Sequence, residues 1–240
     1  AAPETIRFEL QLDDRPSESK VERVRLHSIN EAPYFVQDDK RPTNLAWMFA
    51  AYVDEDHPQV RRIVSEALKN GAVKRFDGYQ SRDSKQVMKQ VYAVWRALRS
   101  RGIRYSSITR TGNGKSEVLS QHVRFIDESF GNAEANCVDG TVLLAAVLRK
   151  IDLNPALVMV PGHMFLAFEL SPGGERSYLE TTLIGDGLPA KGKESGDAAF
   201  ANFRRASERG HALFQKSRAN FSDRSKPEYQ IIDIGAARDQ

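Results

Sequence analysis

The sequence predicts an α+β protein: one apolar helix packed on an antiparallel sheet, with a small N-terminal β unit and a helical extension. Three observations carry this. Residues 138–150 stay apolar long enough for about three helical turns. Residues 156–160, 163–170 and 177–182 read as short strands, joined by Pro161-Gly162 and by Ser171-Pro172-Gly173-Gly174. Amphipathic helices flank this block on both sides, and alternating strands open the chain.

In order, residues 5–12 alternate polar and apolar, as a half-buried strand does. Residues 13–19 form a turn, and 21–27 can pair back, with His27 at the surface. Two strands alone are too few for independent stability, so this unit is expected to lie on the core. Residues 31–42 look irregular. Thr43 or Asn44 can cap a helix over 45–53, its aromatics facing a core. Asp56 or His57 stands before Pro58, a favoured helix start, and Val60, Ile63, Val64 and Leu68 share one face before Gly71. The acids near His57 have no second cluster, so a solvated helix start is preferred there to a metal site.

A long amphipathic helix runs from Ser84 to Arg99, burying Val87, Val91, Trp95 and Leu98, and Arg101-Gly102 closes it. Residues 106–117 are polar, and their Gly112-Asn113-Gly114-Lys115 lacks the spacing of a phosphate-binding loop. A mobile surface loop beside a cleft is the expectation. Residues 183–196 form a long loop, 197–218 a helix with His211 packed or exposed, 222–228 a linker and 229–234 a last strand. Residues 1–75 are therefore read as an N-terminal extension and 76–240 as the main domain.

The chain has 240 residues, of which 40% are hydrophobic and 28% charged, in keeping with a globular protein. The net charge of +3 is small and the basic residues are scattered, which argues against nucleic-acid binding. No apolar run approaches the ~20 residues that cross a bilayer, so no direct membrane insertion is expected. One cysteine excludes an intrachain disulfide framework. The start Ala1-Ala2-Pro3, with no methionine, fits removal of a leader or excision from a longer chain. The expected location on that basis is periplasmic or otherwise extracytoplasmic.

That single cysteine, Cys137, follows the small, polar stretch 131–136 and opens the apolar helix. Asn136 or Asn132 can cap the orphan N–H groups there, and Asp139 complements the helix dipole. A thiol on a first helical turn faces the positive end of the macrodipole, which is how a reactive cysteine is built. The alternative is a small hydrophobe on a core helix. Downstream, His163 heads one strand and Glu180 lies on the next. A helix packed on an antiparallel sheet can bring the three together, in the nucleophile–base–orienter order of thiol catalysis.

Cys137 with its apolar helix, then Pro161-Gly162-His163, then Leu179-Glu180-Thr181-Thr182, resembles the transglutaminase-like superfamily, and most of all its bacterial members with a papain-like core. The likeness covers roughly residues 82–183. The segment Gly102 to Tyr105 is typical of the junction between the helices. The resemblance implies that Cys137 is the nucleophile, His163 the general base and acid, and Glu180 the orienting acid. The superfamily more often has Asp in the third place, and Asp186 is the alternative. Gln121 is a candidate oxyanion donor beside the Cys137 N–H. His122 and Arg124 are weaker candidates for substrate contact.

The implied function is a thiol-dependent hydrolase of amide or peptide bonds, acting on a protein or peptide through a thioester and needing no cofactor or metal. Transfer to an amine, with cross-linking, is one alternative. A catalytically silent binding module is another, and a redox-sensing cysteine a third.

Overall fold

A computed structural model describes residues 2–11, 18–37, 42–106, 118–189, 193–223 and 225–239. The fold is α+β. The elements in order are β1 (Ala2–Leu10), β2 (Glu18–Leu26), β3 (Glu31–Val36), β4 (Thr43–Asn44), a 3-10 helix (Ala46–Tyr52), α1 (Pro58–Lys69), α2 (Ser84–Ser100), β5 (Arg104–Tyr105) and β6 (Val118–His122). Then come α3 (Ile126–Asn132), β7 (Glu134–Ala135), α4 (Cys137–Lys150), β8 (Pro155–Val160), β9 (His163–Glu169) and β10 (Arg176–Leu179). A 3-10 turn (Thr181–Gly185), α5 (Gly196–Ser217), a further 3-10 turn (Arg218–Asn220), β11 (Gln230–Asp233) and α6 (Ile234–Arg238) complete the chain.

The chain forms two compact units, residues 1–31 and 32–240. In the first, β1 and β2 pair antiparallel from Ala2↔Leu26 to Leu10↔Glu18. Ile6, Phe8, Leu10, Val21 and Leu26 are exposed, so the alternation of residues 5–12 does not mark a half-buried strand. His27 is at the surface, 2.7 Å from the Glu31 carboxylate. The division falls at residue 31 and not at 75. Val60, Ile63 and Ala67 of α1 share one apolar core with Val91, Leu98 and Leu144, which ties the helical part of the expected extension to residues 76–240.

The second unit is built around α4 and the four-stranded antiparallel sheet β10-β9-β8-β11. The sheet is apolar on both faces, and its period-2 alternation assigns each face to a different layer. Leu157, Met159, Met164, Leu166 and Phe168 join α4 in the main core. Ala156, Val158, Phe165, Ala167 and Tyr178 meet Leu213 and Phe214 of α5 on the other side. At the α5 crossing, a Cβ on Gly210 would stand 2.7 Å from the backbone nitrogen of Leu179. Only the missing side chain lets helix and strand approach so closely.

Three local expectations change. Residues 31–36 form β3, paired with the two-residue β4 and with β6, whose residues 118–122 are too far along the chain for a local pattern to announce. Residues 46–52 coil as a 3-10 helix, and Asn44, one of the two expected caps, accepts from Ala46 N through its Oδ1 at 2.9 Å. The strand expected over 177–182 stops at Leu179, because Glu180 turns the chain as an N-cap. The expected loop 106–117 lies almost wholly outside the described residues. Among those residues no helix is long and apolar enough to cross a membrane.

Candidate active site

Cys137 is residue N1 of α4. Asn136 caps that helix, its Oδ1 accepting from Val138 N at 2.8 Å and Asp139 N at 2.9 Å. Asp139 returns a bond from Asn136 N at 3.0 Å, closing a capping box. The Asn136 side chain takes the Val138 and Asp139 N–H groups and not that of Cys137, whose residue is half-buried. Below the cysteine, Thr141 Oγ1 donates to the Cys137 carbonyl at 2.6 Å and lies 2.8 Å from Thr181 Oγ1. The cysteine turn is thus fastened to the segment that follows β10.

Sheet topology supplies the other two side chains. β9 begins at His163, and β10 runs antiparallel to it with Leu179 opposite Leu166. The start of one strand and the end of the next therefore lie at the same end of the sheet. His163 Nε2 meets Glu180 Oε2 at 2.6 Å. The second oxygen of Glu180 accepts from Thr182 N at 3.0 Å and Thr182 Oγ1 at 2.6 Å. The Glu180 N–H is held by the Ala206 carbonyl of α5 at 3.0 Å. With Nε2 taken by Glu180, Nδ1 is left to serve the sulfur.

The electrostatics follow this layout. Burial alone would pull the His163 imidazole down, but hydrogen bonds and negative charge from Cys137 and Glu180 outweigh it and raise the pKa to about 9. Burial would push Glu180 up, yet its bond to His163, the charge of that ring and the Thr182 bonds hold it below the usual carboxylate value. His163 is the imidazole that Cys137 and Glu180 both act on. The Tyr105 phenol is raised by burial and then by the charges of Cys137 and Glu180.

The remaining expected residues divide. Gln121 lines the cavity that holds Cys137 and His163, and its amide nitrogen donates to the His122 carbonyl at 3.1 Å. One amide N–H is therefore committed locally, and the other is open to a ligand. His122 is half-buried at the end of β6. Arg124 is engaged by Asp139: its guanidinium is 3.1 Å from Asp139 Oδ2, and its backbone N–H bonds Asp139 Oδ1 at 2.8 Å. Asp139, only 2% exposed, is a buried knot as well as a first-turn acid. Asp186 pairs with Arg205 at the surface and is not the carboxylate on His163. His57 caps α1 and approaches Asp127 at 3.4 Å. Among the described residues no three His, Cys, Asp or Glu side chains group to hold a metal ion. His211 bonds the Ser207 carbonyl at 2.9 Å and sets its ring edge-on to Tyr178.

Two contributors escape a reading of the sequence. Arg99 of α2 is 1% exposed and gathers the carbonyls of Leu183, Ile184 and Asp186 while forking onto Glu194. It clamps the loop that leaves Glu180. A helix-ending arginine looks like a solvent-facing charge, so no local signal marks it. Glu228 lines the same cavity as Cys137, although residues 222–228 read as linker. Tyr105 carried a faint signal in the Gly102 to Tyr105 segment. Compared with known proteins, the chain matches no family model, no curated protein and no solved structure.

Proposed function

We propose that the chain is a cysteine-dependent hydrolase of amide and peptide bonds, with a papain-like core of the transglutaminase-like kind. The observation that carries the reading is the ordered row of thiol, imidazole and carboxylate, with Glu180 Oε2 2.6 Å from His163 Nε2 and its other oxygen held by Thr182. A packing role for Cys137 would require neither the imidazole nor the anchored acid.

In this reading the Cys137 sulfur attacks the carbonyl carbon of the substrate. The C=O electrons move onto oxygen, where the Cys137 N–H and the Gln121 amide are the available donors. His163, held as imidazolium by Glu180, gives its proton to the departing amine as the C–N bond breaks. The acyl group remains as a thioester. Water then attacks, His163 takes its proton, and the C–S bond breaks to release acid and thiolate.

Cys137→Ala is the test. Hydrolysis of a fluorogenic peptide or amide panel is expected to vanish, together with iodoacetamide labelling, while the circular dichroism spectrum and unfolding midpoint stay near wild type. Turnover that survives in this variant overturns the reading.

A further inference from the structure

The cavity beside Cys137 is about 60 Å³, far below the ~300–1,000 Å³ of small-molecule sites, so it suits the end of one side chain. Its walls are apolar, formed by Val138, Met159 and Met164 with the rings of Tyr34 and Phe49. Those rings stack with centroids 6.2 Å apart. One anionic side chain, Glu228, faces this space. β11 delivers it: Gln230 pairs with Met159, so the residues just before β11 arrive where β8 ends, beside the turn that precedes His163.

Glu228 makes no hydrogen bond and meets no cation among the described residues. Its charge is close enough to raise the Tyr34 phenol, after the larger effect of burial. The other carboxylate at this corner, Glu180, is consumed by His163 and Thr182. An apolar sleeve with aromatic rings and one unpaired carboxylate is complementary to an alkyl chain that ends in a positive charge.

We propose that this cavity takes the basic side chain of a lysine or arginine next to the bond to be cleaved, with Glu228 as its charge partner. The proposal rests on the thiol-hydrolase reading for its substrate. The charge preference of the cavity exists whether or not the chain hydrolyses anything.

The first measurement therefore needs no turnover. Cys137 is modified with methanethiosulfonates carrying an aminoethyl, a propyl or a sulfonatoethyl group, in wild type and in Glu228→Gln. The ratio of cationic to anionic rate constants is expected to fall about tenfold in the variant, the weight of one charge pair in a half-exposed site. Comparing the two proteins removes the constant influence of the His163 imidazolium. Glu228→Lys is expected to invert the preference. An unchanged ratio in Glu228→Gln overturns the proposal and leaves the hydrolase reading standing.

The second measurement compares peptides with lysine or norleucine beside the scissile bond. Wild type is expected to prefer lysine in kcat/KM, and Glu228→Gln to lose about tenfold of that preference. A Glu228-dependent preference seen only for a free amine accepting the acyl group overturns the assignment to the donor peptide. If the reagent ratio shifts as expected but Cys137→Ala hydrolyses as fast as wild type, the hydrolase reading fails alone.

Discussion

Two carboxylates are buried against the first turn of α4, and they do opposite things. Asp139 is 2% exposed and Glu180 4%. Each satisfies both oxygens and each faces a nitrogen base. Asp139 faces Arg124, whose guanidinium keeps its charge at any ordinary pH. Glu180 faces His163, which can lose its proton. Burial pushes Asp139 up in spite of Arg124 and the N–H bonds, whereas the bonds to His163 and Thr182 hold Glu180 down against burial. The two corners are similar in geometry and differ in whether the partner can give up its charge. The first can only hold the fold, and the second can pass a proton.

Glu180→Gln tests the second corner with the largest effect. The imidazole loses its anionic support and its fixed orientation while the shape is retained. On the thiol-hydrolase reading proposed above, the rate of amide hydrolysis is expected to fall on the order of 10³-fold. Stability should fall by no more than about 1–2 kcal/mol, because the freed imidazole can shed its charge. Steady-state kinetics beside a urea titration separates the two, and a loss of fold larger than the loss of rate contradicts the comparison.

Asp139→Asn inverts that pattern. It leaves the Arg124 guanidinium, 13% exposed, without its counter-charge and weakens the capping box above Cys137. Removing one partner of a buried ion pair costs about 3 kcal/mol or more, and a chain of this size should lose roughly 6–12 °C in melting temperature. At a temperature where the variant is still folded, kcat should stay within about tenfold of wild type. Thermal unfolding by calorimetry is the check.

This contrast also shows what could be read from the residues in line. Cys137 stood out because it is single and opens an apolar helix, and His163 because it follows Pro161-Gly162 at a strand start. Those are local signals. The α+β class followed from the same periodicities, and α4, β8, β9 and α5 lie close to where they were expected. The role of Arg124 did not follow, because a surface arginine and one buried on Asp139 have the same local pattern. What separates them is a partner 15 residues away. Arg99 is a stronger case, with its Glu194 partner 95 residues on. Glu228 enters the cavity only because β11 returns as the edge strand beside β8. Burial of a polar group is decided by what comes back to meet it, and strand-to-strand return is the least local feature of a fold.

Alkaline pH offers a smaller test. His163 binds its proton more tightly folded, at about 9, than the usual 6.5. Its contribution is therefore fully present below pH 6.5 and is lost as pH climbs through about 9. Glu180, with a depressed value, adds stability above its ordinary 4.5 and loses it as pH falls. Asp139 has the opposite sign, since a raised carboxyl takes stability away as pH climbs past its ordinary 3.8. Unfolding free energy measured from pH 6.5 to 9.5 should decline by on the order of 1–3 kcal/mol more in wild type than in His163→Gln. Parallel curves would mean that the imidazole is not the group that distinguishes the two corners.

The smallest effect is the most specific. Two of the four influences that raise the His163 pKa come from Cys137, a hydrogen bond and a charge, and the other two from Glu180. Cys137→Ala removes the first pair and leaves the carboxylate and the burial in place. The His163 titration, followed by NMR of its ring among the five histidines, should move down from about 9 without falling as far as in Glu180→Gln with Cys137→Ala combined. The Arg124–Asp139 corner has no contact with the thiol among its bonds, so stability at that corner should not respond. A His163 value unchanged by loss of the sulfur would separate the thiol from the imidazole, and with it the proposed nucleophile from its proposed base.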